Sequence, residues 1–309
     1  MNRARSRILK LFVMIALCLS LVVAQEAAAG QGDRDKLFGF AESLFTEGDY
    51  YRAITEYKRF NYLYPVDILV EKSYFRIGEC YFKAGRRSEA IDSFNAFIRH
   101  YPAGALRSNA LYHKGQAEKE QKRYTDALIT FDELIRTGDA NYRDRALYTQ
   151  ALVLLAQQEW QRARETFASL PQESPLSPSA IIYADGLGRM DVLPRKSPAL
   201  AGTLAAVLPG AGHLYADRPR DALVSFLLNG SFIWAAVELF RNNNNVAGGI
   251  VAFFELGWYG GNIYSAVGSA HKYNQRVEDE FLQGLKEKSG ISFYRDQSGS
   301  NYVMYSMMF

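Results

Sequence analysis

The chain has 309 residues, enough for two domains of ordinary size. Its net charge of +3 is spread along a balanced mixture of acids and bases, so it lacks the basic footprint of a nucleic-acid-binding protein. Two cysteines, Cys18 and Cys80, and the four scattered histidines offer no disulfide framework and no metal-ligand spacing. There is no G-x-S-x-G, phosphate loop or CxxC, and neither a catalytic residue nor a cofactor is expected.

In chain order, residues 1–29 read as a secretory signal. Arg3, Arg5, Arg7 and Lys10 precede an apolar run over 11–24, and Ala27, Ala28 and Ala29 supply small residues for cleavage. An uncleaved anchor exports the following chain equally well. A lipoprotein signal through Cys18 is weak, because Leu17 stands where a small residue belongs.

Residues 37–65 and 74–102 are near-copies. Aligned on Ala53 and Ala90, they share Gly48 and Gly85, Tyr57 and Phe94, and Pro65 and Pro102, all offset by 37 residues. A fixed period of this size marks a repeat architecture. Further copies centre on Ala127, with Phe131, and on Ala163, with Phe167 and Pro175. Within each copy the apolar residues recur at helical spacing, as in Leu37, Phe40, Ala41 and Leu44 and again in Tyr50, Ala53, Ile54 and Tyr57. The glycine between the two runs suits a helix C-terminus, and the proline stops the second helix. One such pair cannot cover its own apolar face, so the pairs must stack.

This pattern resembles the tetratricopeptide repeat family over residues 34–175, most specifically in the first two copies. In the last two, Lys122 and Gln158 replace the turn glycine, and Asp139 replaces a proline. The resemblance implies an all-α solenoid of four helix pairs whose first helices line a groove. On that groove the expected protein-binding residues are Phe38, Phe75, Tyr112 and Tyr148, with Glu42, Glu79, Phe45 and Phe82 beside them. The core is expected one residue earlier, at Leu37, Tyr74, Leu111 and Leu147. An apolar or mildly basic partner segment fits this surface better than an acidic tail.

Residues 176–197 read as a capping helix and linker. Composition then shifts abruptly over 198–270, the expected transmembrane helical domain. The runs 222–240 and 246–270 are long enough to span a bilayer, whereas 198–216 is marginal and broken by Pro209 and Gly210. Length favours two spans. The distribution of Arg and Lys favours three, with the first short and bent, and three is the expected topology.

Pro209, Gly210, Gly212 and Tyr215, followed by Arg218 and Arg220, resemble the Pro-Gly-x-Gly-x-x-Tyr signature of a family of small bacterial membrane domains. The resemblance implies a membrane location and no particular chemistry. Gly257, Gly261, Ser265 and Ser269 form a stripe of small residues suited to helix packing inside the hairpin or to homo-oligomerisation. The intramembrane polar residues Asn229 and Glu255 are expected to meet across the hairpin, with His213 a second partner for the carboxylate.

Residues 271–309 read as an amphipathic helix and a C-terminal tail. The tail alternates and ends on Phe309, which resembles the terminal signal of outer-membrane barrels. It supplies two strands where a barrel needs about eight, so a short hairpin or a loose end is expected.

The whole reads as an exported helical-repeat scaffold, tethered to the bacterial inner membrane with its repeats in the periplasm. It would bind another envelope protein, as the periplasmic scaffolds it resembles imply, and no nucleic acid. The alternative is a channel or transporter component in which the membrane helices do the work and the repeats sense.

Overall fold

The computed structural model describes residues 32–295 and 301–305, with side chains through residue 290. The signal at 1–29, Cys18 and the last four residues lie outside the described residues. The chain divides into two units, residues 1–181 with 291–309, and residues 182–290.

The first unit contains four consecutive helix pairs. These are α1 (32–47) with α2 (Tyr50–Leu63), α3 (Val70–Lys83) with α4 (Arg87–His100), α5 (Arg107–Glu120) with α6 (Tyr124–Thr137), and α7 (Ala140–Ala156) with α8 (Trp160–Ala168). Ala53, Ala90, Ala127 and Ala163 are fully buried, and so are the rings four residues later, Tyr57, Phe94, Phe131 and Phe167. Two of the rings lie on glycines of the preceding helix. A Cβ at Gly78 would stand 2.6 Å from the Phe94 ring, and one at Gly115 would stand 2.7 Å from Phe131. Each buried ring contributes roughly 1.5–3 kcal/mol.

All four inter-helix turns keep one left-handed residue, although only two carry glycine. Gly48 and Gly85 have φ of 83° and 78°; Lys122 and Gln158 have 60° and 61°. A residue with a Cβ is strained there by roughly 1–2 kcal/mol. Asp139 is not a helix stop: its side chain accepts a hydrogen bond from the Tyr142 N–H at 3.1 Å and caps α7. Replacing Lys122 or Gln158 by Gly is expected to raise the stability of the repeats by about 1 kcal/mol, read from denaturant unfolding.

Helix α9 (Ser177–Leu187) and a 3₁₀ turn (Met190–Val192) lead to α10 (Pro198–Val207), α11 (Ala211–Tyr215), α12 (Pro219–Arg241) and α13 (Asn245–Lys288). At 44 residues α13 is about 66 Å long. It runs unbroken through residue 270, where the sequence had suggested a boundary. α10, α11 and α12 all pack on it.

The four signature residues have structural work here. Gly210 has a φ of 88°, and a Cβ on it would collide with the Ala222 carbonyl oxygen. A Cβ on Gly212 would collide with the Ala201 carbonyl oxygen. Pro209 closes α10, and the Tyr215 hydroxyl accepts the Ser197 N–H at 3.0 Å. The helix stripe is different. Gly257 and Gly261 are exposed, nothing lies within 4 Å of a Cβ placed on either, and Ser265 is exposed too. Of the four, Ser269 alone is buried. The expectation that this stripe packs the hairpin is therefore corrected: close approach occurs at Gly210 and Gly212, on the short helix. Gly212→Ala should lower the melting temperature of the second unit in detergent, whereas Gly261→Leu should leave it unchanged.

The tail forms an antiparallel hairpin, β1 (Ile291–Arg295) with β2 (Asn301–Tyr305), pairing Phe293 with Val303.

Candidate functional site

The aromatic ladder expected on the first helices is largely internal. Phe38, Phe75, Phe82 and Tyr148 are buried, and only Tyr112 and Phe45 are half-buried. Phe38 meets Tyr57 and Phe60 edge-on, at 5.8 and 5.1 Å between ring centroids. Phe75 packs on Phe94 and Phe97, both at 5.9 Å, and Tyr148 on Phe167 at 5.3 Å. These rings fill the seam between the first and second helix of their own repeat. The position one residue earlier, expected to be core, is buried at Leu111 but 40% exposed at Tyr74.

What faces outward from α1, α3, α5 and α7 is a connected set of polar groups. Glu42 on α1 accepts the Tyr57 hydroxyl at 2.5 Å and Lys72 Nζ at 3.1 Å. The Arg76 guanidinium grips both its oxygens, through Nε at 2.9 Å and Nη2 at 3.1 Å. Arg76 Nη1 also donates to Glu79 at 2.7 Å, and the other Glu79 oxygen stands 3.9 Å from His113 Nε2. Bidentate Arg–carboxylate pairs are among the stronger polar contacts. Both glutamates expected to meet a partner are thus already neutralised by Arg76 and Lys72. The i, i+3 spacing of Arg76 and Glu79 carried that signal; the reach of Arg76 across 34 residues to Glu42 did not show in the sequence.

His113 lies among rings. Phe94 stacks on it at 5.8 Å, and Phe75, Phe82 and Tyr112 surround it at 5.7–6.0 Å. Burial holds its pKa below the ordinary 6.5, against the pull of Glu79 and with the help of Lys83 and Arg145. Lys83 lies over the Phe45 ring at 5.5 Å, and Arg145 over Tyr142 at the same distance. Half-buried Lys119, three residues after Gln116, has its ammonium pKa lowered by burial. Gln116 donates to the Tyr112 hydroxyl at 2.8 Å. Both carboxylates of this face are thus held by its own basic groups.

Burial pushes the Glu42 carboxyl up, but hydrogen bonds from Tyr57, Arg76 and Lys72 outweigh it and hold the group below its ordinary 4.5. A depressed carboxylate stabilises the fold above the unfolded value, and that contribution is lost as pH falls through the folded one. A depressed histidine costs stability once pH falls below its unfolded value near 6.5, because the unfolded chain takes the proton first. Acid should therefore weaken the repeats in two stages, the first beginning as pH falls below about 6.5 and the second as it falls below about 4.5. His113→Phe should flatten the first stage and Glu42→Gln the second, read as urea midpoints against pH.

In the second unit, Asn229, Glu255 and Asn262 are buried. Asn229 Nδ2 donates to the Ser225 carbonyl at 2.7 Å, and His213 is 3.2 Å from Ser269 Oγ. Neither reaches Glu255, whose two oxygens have no hydrogen-bond partner among the described residues. The expected clasp between Asn229 or His213 and Glu255 is therefore not formed. Asn262, which the sequence reading missed, sits seven residues after Glu255 on the same face of α13 and is likewise unpaired. The outward surface is the reverse: Leu223, Phe226, Trp234, Phe253, Phe254 and Trp258 are exposed. Pro219–Arg241 is the one described helix long and apolar enough to cross a membrane. The 246–270 run falls short because Glu255, Asn262 and its glycines dilute it. Among the described residues no three His, Cys, Asp or Glu are grouped to hold a metal ion.

Two tetratricopeptide repeat models match the chain, over residues 75–142 and 145–177. No curated protein matches it. Among solved structures, a tetratricopeptide repeat protein from Parabacteroides merdae ATCC 43184 is 17% identical with a TM-score of 0.43, covering 82% of this chain and 98% of that one. YrrB, described as a TPR protein with an unusual peptide-binding site, is 20% identical with a TM-score of 0.39 over 50% of this chain and 76% of its own. MamA from Desulfovibrio magneticus RS-1 is 15% identical with a TM-score of 0.42 over 63% of this chain and 92% of its own. These values are too low to carry function across. The family matches and the helix pairs together show that this chain carries tetratricopeptide repeats.

Proposed function

We propose that the protein is an exported, membrane-tethered scaffold that holds another envelope protein on the face made by α1, α3, α5 and α7. The repeat fold is of a scaffold and protein-binding type. The observation that carries the reading is the state of that face. Its two carboxylates are satisfied by Arg76 and Lys72, while Arg145, over the Tyr142 ring, and Lys119 carry further positive charge near Tyr112 and neutral His113. A partner segment bearing carboxylates and at least one apolar side chain complements it. This reverses the expectation of a mildly basic partner, which rested on Glu42 and Glu79 being available. Membrane attachment is supported by the apolar exterior and polar interior of the α12–α13 hairpin, a pattern opposite to that of a water-soluble bundle. Gly257 and Gly261 face outward, open to lipid or to a second copy. No reaction is assigned to the chain.

The unpaired Glu255 and Asn262 favour a second reading, in which the membrane helices conduct or sense an ion. Replacing residues 195–309 by a generic membrane anchor separates the two, since a scaffold keeps working and a channel does not.

The test of the first reading is a photo-crosslinker at Tyr112 in the full chain, in cells. It should capture a carboxylate-bearing segment of an envelope protein. Capture should fall about tenfold in the variant Arg145→Glu and weaken with salt, as expected for a charge-assisted contact of roughly 1.5–3 kcal/mol. Capture unaffected by Arg145→Glu would remove this face from the binding site. Phe75→Ala should unfold its repeat and give no separable binding defect.

A further inference from the structure

We infer that α10 and α11 form a half-membrane hairpin, so that the chain enters and leaves the second unit on one side of the bilayer, crossing with α12 and returning with the less apolar first part of α13, which α12 and α10 flank. This rests on the membrane reading above and goes further, because it fixes the number of crossings and the end that meets the headgroups.

The contacts along α13 act as a depth scale. The Lys196 backbone exchanges hydrogen bonds with the Asn274 side chain, at 2.7 and 2.9 Å. Gly202 lies against Val267 and Ile263, and the Ala206 carbonyl accepts the Tyr259 hydroxyl at 3.2 Å. As the chain advances from 196 to 206 into and along α10, its partner on α13 therefore retreats from 274 to 259. Then the chain turns back. Gly212 lies against Ala201 and Ala266, His213 against Ser269, and Tyr215 against Ser197. Its end returns to the level where α10 began. With ten residues α10 is about 15 Å long, half of a hydrocarbon core of roughly 30 Å. With 23 residues α12 is about 34 Å long and crosses fully. The three-span topology needs the 198–216 segment to cross; the fold turns it round at Pro209 and Gly210.

The two ends of this bundle differ in the way interfaces do. Arg195, Lys196, Arg218, Arg220, Lys272 and Arg276 gather at the entry end, four of them paired there with Glu278, Asp217, Asp221 and Glu280, whereas the asparagine turn over 242–245 is flanked by the single pair of Arg241 with Glu238. Lys196 Nζ lies 5.1 Å from the ring centres of both Tyr215 and Tyr273. Basic side chains among tyrosines are the composition of a lipid headgroup belt. The occupant of the surrounding surface is thus a bilayer, with its headgroups at the entry end.

The test is thiol accessibility in intact cells, using a membrane-impermeant maleimide on single-cysteine variants of the full chain. Cys18 is replaced by Ser, and Cys80 is buried with its thiol pushed up to about 12, so the background is low. Asp92→Cys in the repeats and Lys288→Cys at the end of α13 should label from the same side, and Asn245→Cys only from the other. Leu208→Cys, at the tip of α10, should resist the reagent from both sides until detergent is added. Labelling of Asp92→Cys and Lys288→Cys from opposite sides, or of Leu208→Cys from either side, would overturn the half-membrane hairpin and leave the membrane reading standing. Equal labelling of every position in right-side-out and inverted vesicles alike would overturn the membrane reading itself.

Discussion

The repeats depend on one contact, repeated four times: a ring laid against a small residue across a helix pair. Tyr57, Phe94, Phe131 and Phe167 each stand one helical turn after a fully buried alanine, and neither can change alone. A larger residue at the alanine would separate the helices. A smaller one at the ring would leave a cavity lined by side chains that cannot collapse into it. Gly78 and Gly115 extend the constraint to the preceding helix. Because each pair is closed by the next, the interface repeats with the sequence period, and a row of first helices shares one face.

That face owes its character to what the seam consumes. The rings at Phe38, Phe75 and Tyr148 are drawn inward to fill the space beside the second-helix rings. Polar side chains on the next helical positions become the surface. Their charges then pair along the row, Tyr57 to Glu42, Glu42 to Lys72 and Arg76, Arg76 to Glu79. Partly buried carboxylates left unpaired would be costly, and Arg76 satisfies two of them at once. The acids are spent internally, so a sum over the residues on the face would mislead about its preference.

The second unit solves the opposite problem. Its interior is small and polar, its exterior large and apolar. With few large apolar side chains inside, close backbone approach has to hold the helices together. That approach occurs where Gly210 and Gly212 let α11 wedge between α10, α12 and α13. Tyr215 and Asn274 then tie the start of α10 to its neighbours. A turn that returns the chain to its entry level follows from these contacts.

The sequence by itself determined the four helix pairs. The 37-residue period, the alanine-to-ring spacing and the apolar periodicity are all local, and local patterns survive in one dimension. Lys122 and Gln158 show how far this reaches: the repeat length demanded a left-handed residue even where no glycine supplied it. Only the tertiary structure decided which of two adjacent helix positions is core, since residues 100° apart on a helix can both face a neighbour. It decided the charge of the candidate face, because Arg76 finds Glu42 through packing and not through spacing. It decided, too, that the glycines of α13 point outward and that α10 turns back, because the same apolar letters describe a helix facing lipid, a helix facing protein and a helix that stops halfway.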